Sequence, residues 1–181
     1  MTQPKRIYLA GPEVFFPGEE HRTIVAEKKR LLREYGFAGV DPLDTELTFA
    51  EDEAKPDQGH RIYRANRGLM ASCDAIIANL TPFRGPSADP GTVFEVGYMT
   101  GRGKPAFGFT LDPRHYRERA GGADRDPLGH TIEDFEMSDN LMIEGAIRDS
   151  GGRLLVAEQP GEHRFFSAEL FRRCVQALAH D

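Results

Sequence analysis

Glu95 is the single acid in the apolar and small-residue run Thr92-Val93-Phe94-Glu95-Val96-Gly97-Tyr98-Met99. A carboxyl group in such a run loses water and needs a partner or a task, and both structural pairing and catalysis satisfy that need. Upstream, Asp89-Pro90-Gly91-Thr92 reads as a helix start, with Asp89 as N-cap and Pro90 in the first turn, where its missing N–H does no harm. Glu95 then falls in the second turn. The positive end of the helix dipole favours its ionised form, a carboxylate able to act as base or nucleophile. Two further residues could join it. Tyr8 lies inside a short apolar run and Asp74 opens another, and a phenol beside a carboxylate can hold it by a hydrogen bond. Each also has an ordinary use: Tyr8 as core, Asp74 as the end of a turn, Asp89 as a cap.

The elements that must position these side chains follow from the pattern of apolar residues. Arg6 to Ala10, Phe37 to Val40, Ala75 to Leu80, Ala106 to Thr110 and Arg153 to Ala157 read as five strands. The unbroken β-prone run after Asp74 is what a strand covered by helices on both faces looks like. Helical spacing predicts helices over Glu19 to Tyr35, Gln58 to Ser72, the segment after Asp89, Asp139 to Ile147 and Phe165 to Leu178. Alternation of strand and helix implies a parallel sheet with right-handed crossovers and helices on both faces. Ligands in such sheets sit at the carboxyl ends of the strands. The segment Tyr8 to Phe16, Asp44, the Pro82 to Asp89 turn and the loop before Asn140 should meet there, so Gly11, Phe15, Phe16 and Asp44 are candidates for substrate contact. Aromatic faces near a cleft suit a flat heterocycle such as a nucleobase. Two segments, Asp41 to Asp57 and Leu111 to Ser138, have no pattern of their own, the first reading as a loop or lid and the second as a long charged loop.

Composition narrows the chemistry. The chain has 181 residues and a net charge of −6, which suits one domain over 1–181. Its basic residues are scattered among the acids, which points away from a nucleic acid polymer as partner. Cys73 and Cys174 lie far apart beside apolar segments and read as free buried thiols in a reducing, cytoplasmic setting. No run reaches the roughly 18 apolar residues of a membrane span. None of the six histidines stands at metal-ligand spacing to another or to a cysteine, so no metal site is expected. The glycines form neither a dinucleotide fingerprint nor a phosphate loop and read as turns and close packing.

Four segments in order, Tyr8-Leu9-Ala10-Gly11-Pro12, Cys73-Asp74-Ala75-Ile76-Ile77-Ala78-Asn79-Leu80, Asp89 to Tyr98 and Asp139-Asn140-Leu141-Met142, together resemble the nucleoside 2-deoxyribosyltransferase family. The pattern Asp-x5-Glu-x-Gly-Tyr is the most specific of them. The resemblance implies an α/β flavodoxin-like three-layer sandwich around a five-stranded parallel sheet, no cofactor and no metal, and transfer of 2-deoxyribose from one nucleobase to another. It assigns Glu95 as the nucleophile at C1′ of the sugar, Tyr8 as the group that orients it, and Asp74 and Asp89 as acids on the base side, one of which protonates the leaving base. Asn140 and Met142 match a segment lent to a neighbouring subunit's site, where the asparagine holds the 5′-hydroxyl. A dimer-based homo-oligomer, commonly a hexamer, is therefore expected. The chemistry suits the residues: a carboxylate can trap the oxocarbenium-like centre covalently, and a second displacement on the same carbon gives net retention. The alternatives are hydrolysis of nucleoside 5′-monophosphates, for which Ser87 or Arg84 would have to hold the phosphate, and a nucleotide-binding module without turnover.

Overall fold

The computed structural model describes residues 3–159 and 163–180. Five strands, β1 (Arg6–Ala10), β2 (Ala38–Val40), β3 (Ala75–Asn79), β4 (Ala106–Thr110) and β5 (Leu154–Val156), form one sheet in the order β2-β1-β3-β4-β5. All four pairings are parallel, with Tyr8 opposite both Val40 and Ile76 and Asn79 opposite Phe109. Period-two alternation along β1 splits the core. Ile7 and Leu9 pack with Leu31, Phe107, Phe109 and Phe171 on one face, which carries α1 (Gly18–Glu34) and α6 (Ala168–Ala179). Tyr8 and Ala10 pack with Met70, Ile76, Val96 and Ile143 on the other, which carries α2 (Lys55–Ala71), α3 (Pro90–Gly101) and α5 (Leu141–Asp149). The architecture is thus the expected three-layer α/β sandwich. Cys73 and Cys174 are both free and buried.

Two readings change. The Asp41 to Asp57 segment is not a lid over its whole length. Asp41 caps a short 3-10 turn, Pro42–Asp44, through a reciprocal capping box, and α2 begins at Lys55, with Pro56 in the first turn where a missing N–H is tolerated. Along α2, Met70 is buried and Ile62 exposed. The segment after β4 also carries structure of its own: α4 (Tyr116–Arg119) and a bridge between Arg125 and Thr131. Arg119 fastens α4 to the Pro82 to Asp89 turn by donating from Nε to the Pro86 carbonyl at 2.7 Å, and it also reaches the carbonyls of Arg114 and Ser138.

Candidate active site

Tyr8 points from the middle of β1 toward α3 and is wholly buried. Its hydroxyl donates to Glu95 Oε1 at 2.7 Å. Glu95 sits in the second turn of α3, whose first turn is fixed by Asp89 Oδ2 accepting from Thr92 N at 3.0 Å and from Thr92 Oγ1 at 3.4 Å. Both capping bonds use Oδ2, which leaves Asp89 Oδ1 for a ligand. Strand β1 and α3 therefore bring a phenol to the Glu95 carboxyl group, with Asp89 at the start of the same helix.

The electrostatics of this spot run against the dipole argument. Burial pushes the Glu95 carboxyl up to about 7; the Tyr8 hydrogen bond opposes that, and the charges of Asp89 and Asp41 add to it. The dipole effect fades beyond the first helical turn, and the loss of water is the larger effect. Tyr8 is pushed far above the ordinary phenol range, by burial first and then by the Glu95 charge. It therefore stays protonated and acts only as a donor.

Two residues at this edge had no sequence signal. Asp41, buried just after β2, has its own carboxyl pushed up by burial. Its Oδ1 accepts from Leu43 N at 2.9 Å and lies 3.3 Å from Nε2 of buried His21, in the first turn of α1. That nitrogen makes no hydrogen bond among the described residues. Their proximity is tertiary, joining a helix start to a strand end, so no spacing along the chain announces it.

The other expected site residues divide. Asp74 is not at the site. It stands before β3, and its Oδ2 accepts from Arg6 N at 2.7 Å at the amino edge of the sheet, a full strand length from the carboxyl edge. In a parallel sheet a residue preceding a strand can lie nowhere else. Asp44 is at the correct edge but is occupied: Oδ1 pairs with Lys29 at 2.5 Å and Oδ2 accepts from Asp41 N at 2.9 Å. Gly11 serves packing, since a Cβ there would come within 1.9 Å of Glu13 Oε2 and 2.9 Å of Asn79 Cβ. Phe15 stacks on Phe83 at 5.6 Å, with the Arg84 guanidinium 4.7 Å from both rings, and Phe16 contacts Phe165 at 5.1 Å. Phe15 keeps about half its surface exposed at this rim, at 52%.

Asn140 is the N-cap of α5, with Oδ1 accepting from Met142 N at 3.0 Å and Nδ2 donating to Glu133 Oε2 at 2.9 Å. Met142 is 71% exposed. Between this segment and the site stands Asp139, another residue without a sequence signal beyond its motif. It is buried, accepts from Ser87 Oγ at 2.5 Å and from Ala88 N at 2.8 Å, and so fixes the turn that delivers Asp89. Tyr63 of α2 and Phe94 of α3 meet edge to face at 6.1 Å and are both exposed. No group of three or more His, Cys, Asp or Glu among the described residues is disposed to hold a metal ion.

The profile of the nucleoside 2-deoxyribosyltransferase family matches residues 7–142. An uncharacterized protein of Schizosaccharomyces pombe, C191.05c, is 33% identical over 98% of this chain and 92% of its own length. A 2-desoxiribosyltransferase from Leishmania mexicana superposes with a TM-score of 0.69 at 28% identity, over 96% of this chain and 98% of that one. A 2-deoxyribosyltransferase from Bacillus psychrosaccharolyticus, at 22% identity and a TM-score of 0.50 over 78% and 82% of the two chains, shares the fold.

Proposed function

The chain belongs to the nucleoside 2-deoxyribosyltransferase family, and from that premise we propose that it moves a 2-deoxyribosyl group between nucleobases through a covalent ester at Glu95. The observation that carries this reading is the 2.7 Å bond from Tyr8 to Glu95 in a carboxylate that no cation neutralises among the described residues. Tyr8 holds Oε1 and leaves Oε2 to attack.

Oε2 of ionised Glu95 forms a bond to C1′ as the C1′–N bond breaks, and its electron pair leaves with the base. Asp89, through Oδ1, supplies the proton that the departing nitrogen takes up. The incoming base then forms its own bond to C1′, the ester bond breaks, the Glu95 carboxylate is restored, and Asp89 takes the incoming base's proton. Two inversions give retention, as for retaining glycosidases. Phe15 and Phe83 offer a stacking surface for the base. No cofactor enters these steps.

The Ser87–Asp139 bond supports a nucleoside over a 5′-monophosphate. Ser87 is already committed as a donor, and a phosphate beside it would meet a buried carboxylate. Exposed Tyr63, Phe94 and Met142 support coverage by a second copy of the chain, and hence a homo-oligomer. Under this reading Asn140 releases Glu133 or uses its second N–H to reach a neighbouring sugar. The free buried thiols suit a role in cytoplasmic nucleoside salvage, and no helix among the described residues is long and apolar enough to cross a membrane.

The test is base exchange. Purified protein incubated with a 2′-deoxynucleoside and a different free base should give the new deoxynucleoside with the β configuration. Cleavage of deoxynucleoside 5′-monophosphates without any exchange would replace this reading with the hydrolase.

A further inference from the structure

We propose that the cavity between the loops after β3 and β4 and the segment before α6 binds a small phosphate-bearing anion, inorganic or on a nucleotide, through Arg84, Arg119 and Arg164. The site is separate from Glu95, and its occupancy does not depend on the transfer reaction.

Its place follows from the sheet. Strand order reverses between β1 and β3, and α3, which carries Glu95, packs against both strands. One strand further on, Leu111 N donates to Thr81 Oγ1 at 3.1 Å and ties β3 to β4 just past their ends. Beyond that tie the two loops part around a cavity of about 970 Å3, the size of a small-molecule site. Its described walls include none of Tyr8, Asp89 and Glu95.

The protein carries a net charge of −6, yet four arginines line this one cavity, with Asp112 as the one carboxylate among the described residues. Arg114 takes up Asp112, donating from Nε at 2.9 Å and from Nη2 at 2.6 Å, and His163 pairs with Glu20 at 3.2 Å. Arg84, Arg119 and Arg164 remain, and among the described residues no carboxylate lies within ion-pair distance of them. The Arg84 guanidinium lies 4.7 Å from the ring centres of Phe15 and Phe83, and that of Arg164 lies 5.1 Å from Phe165. Such aromatic contacts hold the planar group and leave its N–H donors for a ligand. Arg119 is half-buried and bonds to the carbonyls of Pro86, Arg114 and Ser138, with donors to spare. Loss of water holds its guanidinium below the ordinary range. Carbonyls orient that charge without neutralising it, whereas a phosphate supplies the opposite charge and fits the guanidinium fork. Arg84 also keeps a left-handed backbone, φ 59°, in a turn closed by Phe83 N donating to Ser87 O at 3.0 Å. Glycine meets that conformation without strain, so the turn alone does not account for an arginine there.

Isothermal titration calorimetry of the full chain in magnesium-free buffer, with pyrophosphate and ADP as probes, tests the site. One or both should bind once per chain with a Kd below about 1 mM; tighter binding of ADP identifies a nucleotide as the ligand, and tighter binding of pyrophosphate a free oligophosphate. The double variant Arg84→Gln/Arg164→Gln should weaken binding about tenfold or more. Arg33→Gln/Arg64→Gln removes the same charge from exposed positions of α1 and α2 and should change it by less than about twofold. Glu95→Gln should also leave it within about twofold, whereas a phosphate seated beside Glu95 would bind more tightly once that charge is gone. Absence of saturable binding up to about 10 mM, equal weakening in the two double variants, or tighter binding in Glu95→Gln overturns the site. Calorimetry needs no turnover, so failure of base exchange leaves this result standing.

Discussion

Two carboxylates with different surroundings lie near the carboxyl edge of the same sheet. Glu13, in the turn after β1, is 3% exposed; its Oε1 receives Lys28 Nζ at 2.5 Å and Asn79 Nδ2 at 2.8 Å. Lys28 in turn lies 5.5 Å and 5.7 Å from the ring centres of Phe109 and Phe171. Glu95 has one neutral donor, Tyr8, and two acids for company. The fold can neutralise a buried carboxylate and does so where the role is structural. Leaving Glu95 without a cation among the described residues therefore points to chemistry, since an uncompensated acid is a cost that packing would remove.

Exchanging the two situations gives the largest expected effect. Glu95→Gln should lower base exchange by about 1,000-fold or more, the usual scale for loss of a nucleophile, while raising stability above neutral pH. The sign follows from linkage. Glu95 is raised from 4.5 to about 7 in the fold, so the folded state binds a proton that the unfolded state has released. Stability is therefore full below about 4.5 and falls as pH rises toward 7. Gln should remove that fall, worth about 1–3 kcal/mol after allowance for solvent. Thermal melts of both proteins at acid and alkaline pH would show the gain only at the alkaline end; an equal gain at both would contradict a desolvated carboxyl.

Lys28→Met should act in the opposite sense. Breaking a buried pair by removing one partner costs about 3–5 kcal/mol. Urea unfolding should show the loss, while exchange per folded molecule changes little. Tyr8→Phe comes next: hydrogen bonds to charged groups are worth about 1.5–3 kcal/mol, so kcat/KM should fall about 10- to 100-fold. Its acid limb should move to higher pH, because the bond that favours ionised Glu95 is gone. A fall without that movement would make Tyr8 a packing residue.

The smallest effect is expected at Asp74. Asp74→Asn keeps an acceptor for Arg6 N and lies at the far edge, so exchange should stay within about twofold of the parent. This is where sequence reading failed for a physical reason that was already available. Given a parallel strand beginning at Ala75, the residue before it must sit at the amino edge, whatever motif it belongs to. Other parts were legible because local chemistry alone decides them. β4 was read to the residue, an apolar run bounded by Pro105, and the Asp89 cap with Pro90 marked the start of α3. The desolvation of Glu95 followed from its apolar neighbours. The tertiary contacts did not: His21 and Asp41 are brought together only by α1 returning to the end of β2, and Asp139 reaches Ser87 across 52 residues. Asp44 and Gly11 were placed at the right edge, but their tasks, ion pairing and close packing, depend on neighbours that the sequence does not show in contact.

The central claim is that Glu95 carries the sugar, and trapping it is the direct test. The protein should be incubated with a 2′-deoxy-2′-fluoro nucleoside bearing a good leaving base, a substrate that slows breakdown of the ester, then digested and analysed by mass spectrometry. The account predicts a fluorodeoxyribosyl adduct on the peptide containing Glu95, formed with release of one base and lost on adding an acceptor base. Turnover of the natural substrate with the adduct on another residue, or with α configuration in the product, would contradict it.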